Sequence, residues 1–358
     1  RHLSFRHSAM NDQVMPVETP RLDAIRAAQP LAGRRVLIIV ENLPLPFDRR
    51  VWHECRTLRA AGAEVAVICP VGKGYEAPYE EIEGVHIYRH KLPLDAKGAT
   101  GYLLEYTAAL FHETRLAIRI ARRHGFDTLH ACNPPDLIFL VALPFKLLGR
   151  RFIFDHHDIN PELYEAKFNR RGGFWRLLVM FERLTFRAAD VVISTNESYR
   201  AIALERGKVA PEDVFVVRSG PDLNRLVISA PNPAWRKGRA AMVGYVGVMG
   251  DQEGIDLLLD AAHKIVFDQK RDVQFVLVGG GPALDGLKAM AAAAGASLYA
   301  APNDTDDLAD KILSLLDDPQ KAREMGALGR QRVENELNWD YQVDALVAAY
   351  QRAVDKFR

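Results

Sequence analysis

The 358-residue chain predicts an α/β fold of two Rossmann-like domains, the second shortened. From Arg35 onward, short apolar runs alternate with helical periods across short connections, as parallel strands joined by helical crossovers do. Most of these runs are apolar throughout, which suits strands buried on both faces. Val276-Leu-Val-Gly279-Gly280-Gly281-Pro282 then carries a strand signal into three glycines and a helical segment from Ala283. A backbone without Cβ atoms can turn its N–H groups onto a phosphate there, with a helix N-terminus behind them. An ordinary strand-to-helix turn fits those seven residues equally well.

Taken in order, the strand candidates of the first half are Val36–Val40, Glu64–Cys69, Val85–Arg89, Thr128–Ala131, Phe152–Asp155, Val191–Ser194 and Val214–Val217. Helices are expected at Arg50–Ala61, Tyr102–Arg123, Leu137–Leu148, Phe174–Ala188 and Ser198–Glu205, completing a doubly wound sheet over residues 34–230. Residues 1–33 mix His, Ser and Pro without a sustained period and are expected to be a tail, with Met10 a candidate start and no apolar run of secretory type. Residues 231–239 (Pro-Asn-Pro-Ala-Trp-Arg-Lys-Gly-Arg) read as a linker. A second domain over 240–337 starts with strand Met242–Gly247, helix Ile255–Phe267, strand Val273–Val278 and helix Ala283–Ala294. It continues with a weak strand at Ser297–Ala300 and helices Asp306–Leu316 and Pro319–Leu337. Each βαβ unit takes about 30 residues, so this domain is about two units short of a full nucleotide-binding domain. A final helix in 338–358 gathers Trp339, Tyr341, Leu346, Val347 and Tyr350 near one face, enough to pack back on another surface.

Charge and composition narrow the function. Residues 34–230 carry 28 Lys and Arg against 24 Asp and Glu, and residues 240–358 carry 12 against 19. Net charges of +4 and −7 give no strongly basic face, so nucleic acid is not an expected partner. Cys55, Cys69 and Cys132 are few, odd in number and scattered, which suits reduced core residues in a cytoplasmic protein. No apolar run reaches the ~18 residues that cross a bilayer. Arg115, Arg119, Arg122 and Arg123 form one basic stripe on a helix whose start (Tyr102, Leu103, Leu104, Tyr106) is aromatic and apolar. Peripheral rest on an anionic membrane and an ordinary solvated face both fit that stripe.

A nicotinamide enzyme is disfavoured, because Gly244-Tyr-Val-Gly247-Val-Met-Gly250 and the glycine triplet both miss the G-x-G-x-x-G spacing. Asp155-His156-His157-Asp158 follows a strand, at the carboxyl edge where open α/β sheets bind ligands. Imidazoles flanked by carboxylates can hold a sugar hydroxyl or stabilise charge at an anomeric carbon, and a structural histidine in the wall is the plainer alternative. Adjacent imidazoles cannot easily face one ion, and no Cys or H-x-x-x-H spacing supports a metal, so none is expected.

These residues, together with Pro46-Phe-Asp-Arg-Arg-Val-Trp52, Cys132-Asn-Pro-Pro-Asp136, Pro161-Glu-Leu-Tyr164, Gly244-Tyr-Val-Gly247, Val278-Gly-Gly-Gly-Pro282, Leu315-Leu-Asp-Asp-Pro319 and Asn338-Trp339, give the chain its resemblance. It resembles the retaining glycosyltransferases of the GT-B fold, family 4 type, in the branch that assembles bacterial surface polysaccharides. The resemblance runs from about Arg35 to Tyr350. It implies transfer from a nucleotide-sugar to a lipid-linked or saccharide acceptor, without cofactor or metal, in the cytoplasm or at the inner face of the membrane. It casts His157 as the sugar-contacting histidine, with His156 second and Asp158 beside them. Arg49, Arg50 and Asn133 fall on the acceptor side, although the Arg49–Arg50 stretch also reads as a helix start capped by Asp48. Gly247, Gly279, Gly280, Gly281 and Glu253 fall on the donor side, with helix capping a second reading for Glu253.

Such enzymes carry a pair of donor-domain glutamates with seven residues between them. This chain has no glutamate from Gly254 to Arg323 and no Lys or Arg between Ala240 and His263. The segment that would hold the pair is missing between about Gly295 and Ala296. A catalytically inactive binding or scaffold protein is therefore the alternative reading, and an epimerase or phosphorylase on the same fold a weaker one.

Overall fold

The computed structural model describes residues 19–356 except 73, 92–97, 169, 225, 227–229, 251–252 and 281–304. The chain divides into two compact units, one running to Leu226 and resuming at Val333–Arg358, the other Val227–Arg332.

The first unit contains α1 (Pro20–Ala28), β1 (Arg35–Ile39), α2 (Arg49–Ala60), β2 (Glu64–Pro70), β3 (Tyr79–Ile82), β4 (Val85–His90), α3 (Gly98–Arg123), β5 (Thr128–Cys132), α4 (Phe139–Leu147), β6 (Arg151–His156), α5 (Asn160–Phe168), α6 (Gly173–Ala188), β7 (Val191–Ser194), α7 (Glu197–Glu205) and β8 (Val214–Val216). The strands form one sheet in the order β3-β4-β2-β1-β5-β6-β7-β8, parallel throughout except for β3. Because side chains alternate along a strand, Val36 and Ile38 enter a core beneath α2, while Leu37 and Ile39 enter a second core with residues of α3, α4 and α6. Fully burying each such aliphatic side chain contributes about 1.5–3 kcal/mol, so both faces anchor the register.

Three features depart from the sequence pattern. Edge strand β3 (Tyr-Glu-Glu-Ile) alternates exposed with half-buried positions, which hides it from an apolar count. It reaches β4 through Glu83 and Gly84, both at positive φ (50° and 76°), as a tight two-residue hairpin requires. Within the expected tail, Pro20–Ala28 forms α1, with Leu22 and Ile25 packed on the α2 core and the Leu22 N–H bonded to Asp340 Oδ1 at 3.0 Å. Two apolar residues are too few to register as a period. The Pro161-Glu-Leu-Tyr motif opens α5.

The second unit contains β9 (Ala241–Val248), α8 (Ile255–His263), β10 (Val273–Gly280), α9 (Thr305–Leu316) and α10 (Pro319–Arg332). β9 and β10 pair in parallel, Gly279 opposite Gly247. Val243, Phe275, Leu258, Leu259, Leu308 and Ile312 make its core. The opposite face leaves Val246 (83% exposed), Val248 and Val278 open, and no described helix covers it. The glycine-loop helix Ala283–Ala294, the weak strand Ser297–Ala300, Gly281 and the junction Gly295–Ala296 lie outside the described residues.

The chain then returns to the first unit through a turn at Trp339–Gln342 and α11 (Val343–Asp355). Leu346, Val347 and Tyr350 are buried in the α2 core, and Trp339 Nε1 donates to Thr57 Oγ1 at 2.9 Å.

Candidate active site

The Asp155-His156-His157-Asp158 stretch straddles the carboxyl end of β6, and strand alternation separates its histidines. Asp155 points to the α2 face and His156 to the opposite core.

On the α2 face, Asp155 is fully buried. Arg50 Nη2 lies 2.9 Å from its Oδ1 and Arg50 Nε 3.3 Å from its Oδ2. Burial alone would raise the carboxyl pKa, but the Arg50 guanidinium, His157 and His130 hold it well below the usual range. His157 Nε2 sits 2.6 Å from Asp155 Oδ2 and 2.8 Å from Arg50 Nε. One ring position serves only one of these: a protonated Nε2 donates to Asp155, and a bare one accepts from Arg50. No described residue hydrogen-bonds Nδ1 of His157, whose side chain remains 13% exposed. An imidazole held through one nitrogen by a buried carboxylate, with the other available, is suited to orient or polarise a bound hydroxyl.

The surrounding network keeps this arrangement rigid. Arg50 also donates to the Val217 carbonyl at 2.7 Å. Glu54, one turn on in α2, approaches Arg50 Nη2 at 3.3 Å, and burial followed by the Asp155 charge raises its carboxyl well above normal. His130 Nδ1 lies 2.6 Å from the Tyr350 hydroxyl, so α11 braces the same cluster. Burial lowers the His130 pKa, leaving the ring neutral.

Asn133 is buried and ties the loop after β6 to the loop after β5. Its Oδ1 accepts from the His157 N–H at 2.7 Å and the Asp158 N–H at 3.1 Å, while its Nδ2 donates to the Asp158 carbonyl at 2.6 Å and Asp136 Oδ1 at 2.8 Å. Burial raises Asp136 to about 6 against the pull of Asn160 and Asn133.

Three expectations therefore change. His156 is fully enclosed by Phe154, Phe186 and Tyr199 with Glu182 Oε1 3.4 Å away, so it is a core histidine that cannot reach a substrate. Arg50 is committed to Asp155 and Val217 and does not present its guanidinium to an acceptor phosphate; Arg49 beside it is exposed. Asn133 uses both ends of its amide on the protein, so it positions His157 instead of meeting an acceptor. Asp48 caps α2, accepting from the Val51 N–H at 3.1 Å.

In the second unit, Gly279 is dictated by packing: a Cβ there would collide with the Gly247 carbonyl oxygen. Gly247 and Gly280 complete the paired strand ends. Glu253 is half-buried just before the N-cap of α8, Gly254 (φ 63°), which supplies no side-chain cap. Gly281 lies outside the described residues.

Sequence reasoning passed over Glu54 and His130 and gave Tyr350 only a packing role. The Arg50–Glu54 spacing of one helical turn was the available signal; the other two meet only through the fold. Donor sets of metal-binding type occur at Glu54/Asp155/His157 and His130/Cys132/Asp155, but Arg50 already neutralises the carboxylate that both share.

The basic stripe Arg115, Arg119, Arg122 and Arg123 lies on the exposed side of α3, opposite buried Leu116, Ala117 and Ile120. The side chains of Tyr102, Leu103, Leu104 and Tyr106 lie outside the described residues. Among the described residues no helix is long and apolar enough to cross a membrane. All three cysteines are buried thiols.

Residues 48–220 match the family model described as a glycosyl transferase 4-like domain. An alpha-maltose-1-phosphate synthase of Mycolicibacterium smegmatis is 30% identical over 144 residues, covering 38% of this chain and 36% of that protein. The chain thus spans about a third of that relative's length. Among solved structures, a glycosyltransferase from Rickettsia africae superposes with a TM-score of 0.57 at 13% identity, covering 90% of this chain and 98% of the other. A protein assigned as a UDP-N-acetylglucosamine 2-epimerase from Listeria monocytogenes gives 0.56 at 12% identity, with 91% and 98% covered. At such identities the likeness is one of fold. The chain has the two-domain Rossmann-like fold of GT-B glycosyltransferases, and its residues 48–220 are similar to the glycosyl transferase 4-like domain.

Proposed function

We propose that the chain is a retaining glycosyltransferase that moves a sugar from a nucleotide-sugar to a lipid-linked or saccharide acceptor, in polysaccharide assembly at the cytoplasmic face of the membrane. The observation that carries this reading is His157, held by buried Asp155 and Asn133 at the carboxyl edge of β6, inside the stretch that matches the glycosyl transferase 4-like domain. His157 would meet the transferring sugar, with Asp158 beside it. The exposed Arg49 and the exposed Phe47 of the loop before α2 would face the acceptor. Gly247, Gly279–Gly281 and Glu253 would line the donor side. As the nucleoside diphosphate departs and the acceptor attacks from the same face, these residues contribute positioning and electrostatics. His157 needs no proton of its own for this, because a neutral imidazole can hold a sugar hydroxyl by donation or acceptance.

The absence of any glutamate from Gly254 to Arg323 favours a second reading, a binding protein of the same fold without turnover. Titration calorimetry of the folded chain against nucleotides and nucleotide-sugars tests the proposal. Binding of at least one nucleotide-sugar, weakened in the His157→Ala variant, is the expected result. No binding of any of them would defeat the transferase reading.

A further inference from the structure

Away from the Asp155 network, three distant elements bring ionisable side chains together at the same sheet edge. Glu41 stands two residues beyond β1, His90 ends β4, and Glu113 projects from the middle of α3. All three are buried, Glu113 completely. One ligand atom from each lies within 4.8 Å of the others, and His90 Nε2 is 3.6 Å from Glu41 Oε2. Ligands about 2.0–2.2 Å from a tetrahedral ion stand roughly 3.3–3.6 Å apart, a spacing that the Glu41–His90 pair already has.

Both carboxylate oxygens of Glu113 and both ring nitrogens of His90 lack a hydrogen-bond partner among the described residues. Among the described residues no Lys or Arg pairs with Glu113. The contrast with the Asp155 clusters is direct, since Arg50 occupies the place a cation would take in those. Burying the Glu113 carboxyl and the His90 imidazole without a hydrogen-bond partner among the described residues is costly, and a bound cation removes that cost.

We propose that Glu41, His90 and Glu113 bind one divalent transition cation of the zinc type, tying the carboxyl ends of β1 and β4 to α3. Two carboxylate oxygens and one imidazole nitrogen suit Zn²⁺, Co²⁺, Mn²⁺ or Fe²⁺ better than the all-oxygen shells of Mg²⁺ and Ca²⁺. The expectation of no metal rested on the adjacent histidines His156 and His157; these ligands come from positions 41, 90 and 113, a spacing no local motif displays. The proposal is independent of the sugar-transfer reading, because its test measures the metal.

The full chain, free of any histidine tag and stripped with a chelator, is dialysed against Zn²⁺ and, separately, Co²⁺. One equivalent should bind, Co²⁺ should give visible absorption bands, and Zn²⁺ should raise the Tm. Glu113→Gln and, as a second ligand change, His90→Gln should each weaken binding by about tenfold or more and abolish the Tm rise. His157→Asn should keep both. Circular dichroism establishes that each variant is folded, and either ligand variant suffices. No stoichiometric binding by the unaltered chain would overturn the proposal, as would undiminished binding in a folded ligand variant or loss confined to His157→Asn.

Discussion

Replacing Arg50 with methionine removes the cation on which the Asp155 cluster depends. Arg50 is almost fully enclosed, its guanidinium shared between Asp155 at 2.9 Å, Glu54 at 3.3 Å and the Val217 carbonyl at 2.7 Å. Methionine fills most of the volume but leaves Asp155 buried without its counter-charge. Breaking a buried pair on one side costs about 3–5 kcal/mol. For a unit of this size, 1 kcal/mol corresponds to roughly 2–4 °C in Tm, so a drop of about 6–20 °C is expected. Trp52 and Trp339 lie in the same core, so tryptophan fluorescence follows the transition. The pH dependence supplies a second readout. The Asp155 carboxyl is depressed in the fold, so its stabilisation is complete above the unfolded value near about 3.9 and is lost as pH falls through the folded value. The gap between unaltered chain and Arg50→Met should therefore be widest near neutrality and narrow below about pH 4. A Tm within about 2 °C of the unaltered chain at neutral pH would refute the claim that Arg50 neutralises Asp155.

Other expectations follow from the same geometry. His157→Ala should lower transfer turnover by about tenfold or more while costing only about 1 kcal/mol of stability in denaturant melts, because Asp155 keeps Arg50; unchanged rates would mark His157 as structural. His156→Phe, enclosed among Phe154 and Phe186, should leave turnover within about twofold, and a loss of about tenfold would return that ring to the chemistry. Gly279→Ala must displace the β9 backbone, and faster amide exchange in β9 and β10 with intact β1–β8 is the expected signature; unchanged exchange would show that the strands absorb the methyl.

The parallel sheet was legible because Leu37-Ile38-Ile39 and Phe152-Ile153-Phe154 are apolar throughout, and only strands covered on both faces read that way. Edge strand β3 and helix α1 were not, since each carries a weak apolar signature and takes its place from tertiary pairing. The DHHD stretch pointed to the right sheet edge, but two neighbouring histidines look equivalent in sequence and stand on opposite faces of β6. Arg50 looked like a free cation for the same reason that Glu54 went unnoticed. A local pattern shows a charged residue at a helix start without showing whether it turns outward or into the sheet. His130, Tyr350, and the Glu41/His90/Glu113 trio meet through long-range contacts between elements.

The most direct test of the transferase reading is product analysis by NMR after incubating the chain with nucleotide-sugars and lipid-linked or saccharide acceptors. The account predicts release of a nucleoside diphosphate and a glycosylated acceptor whose anomeric configuration equals that of the donor. A free epimerised sugar nucleotide without transfer, or an inverted linkage, would contradict it.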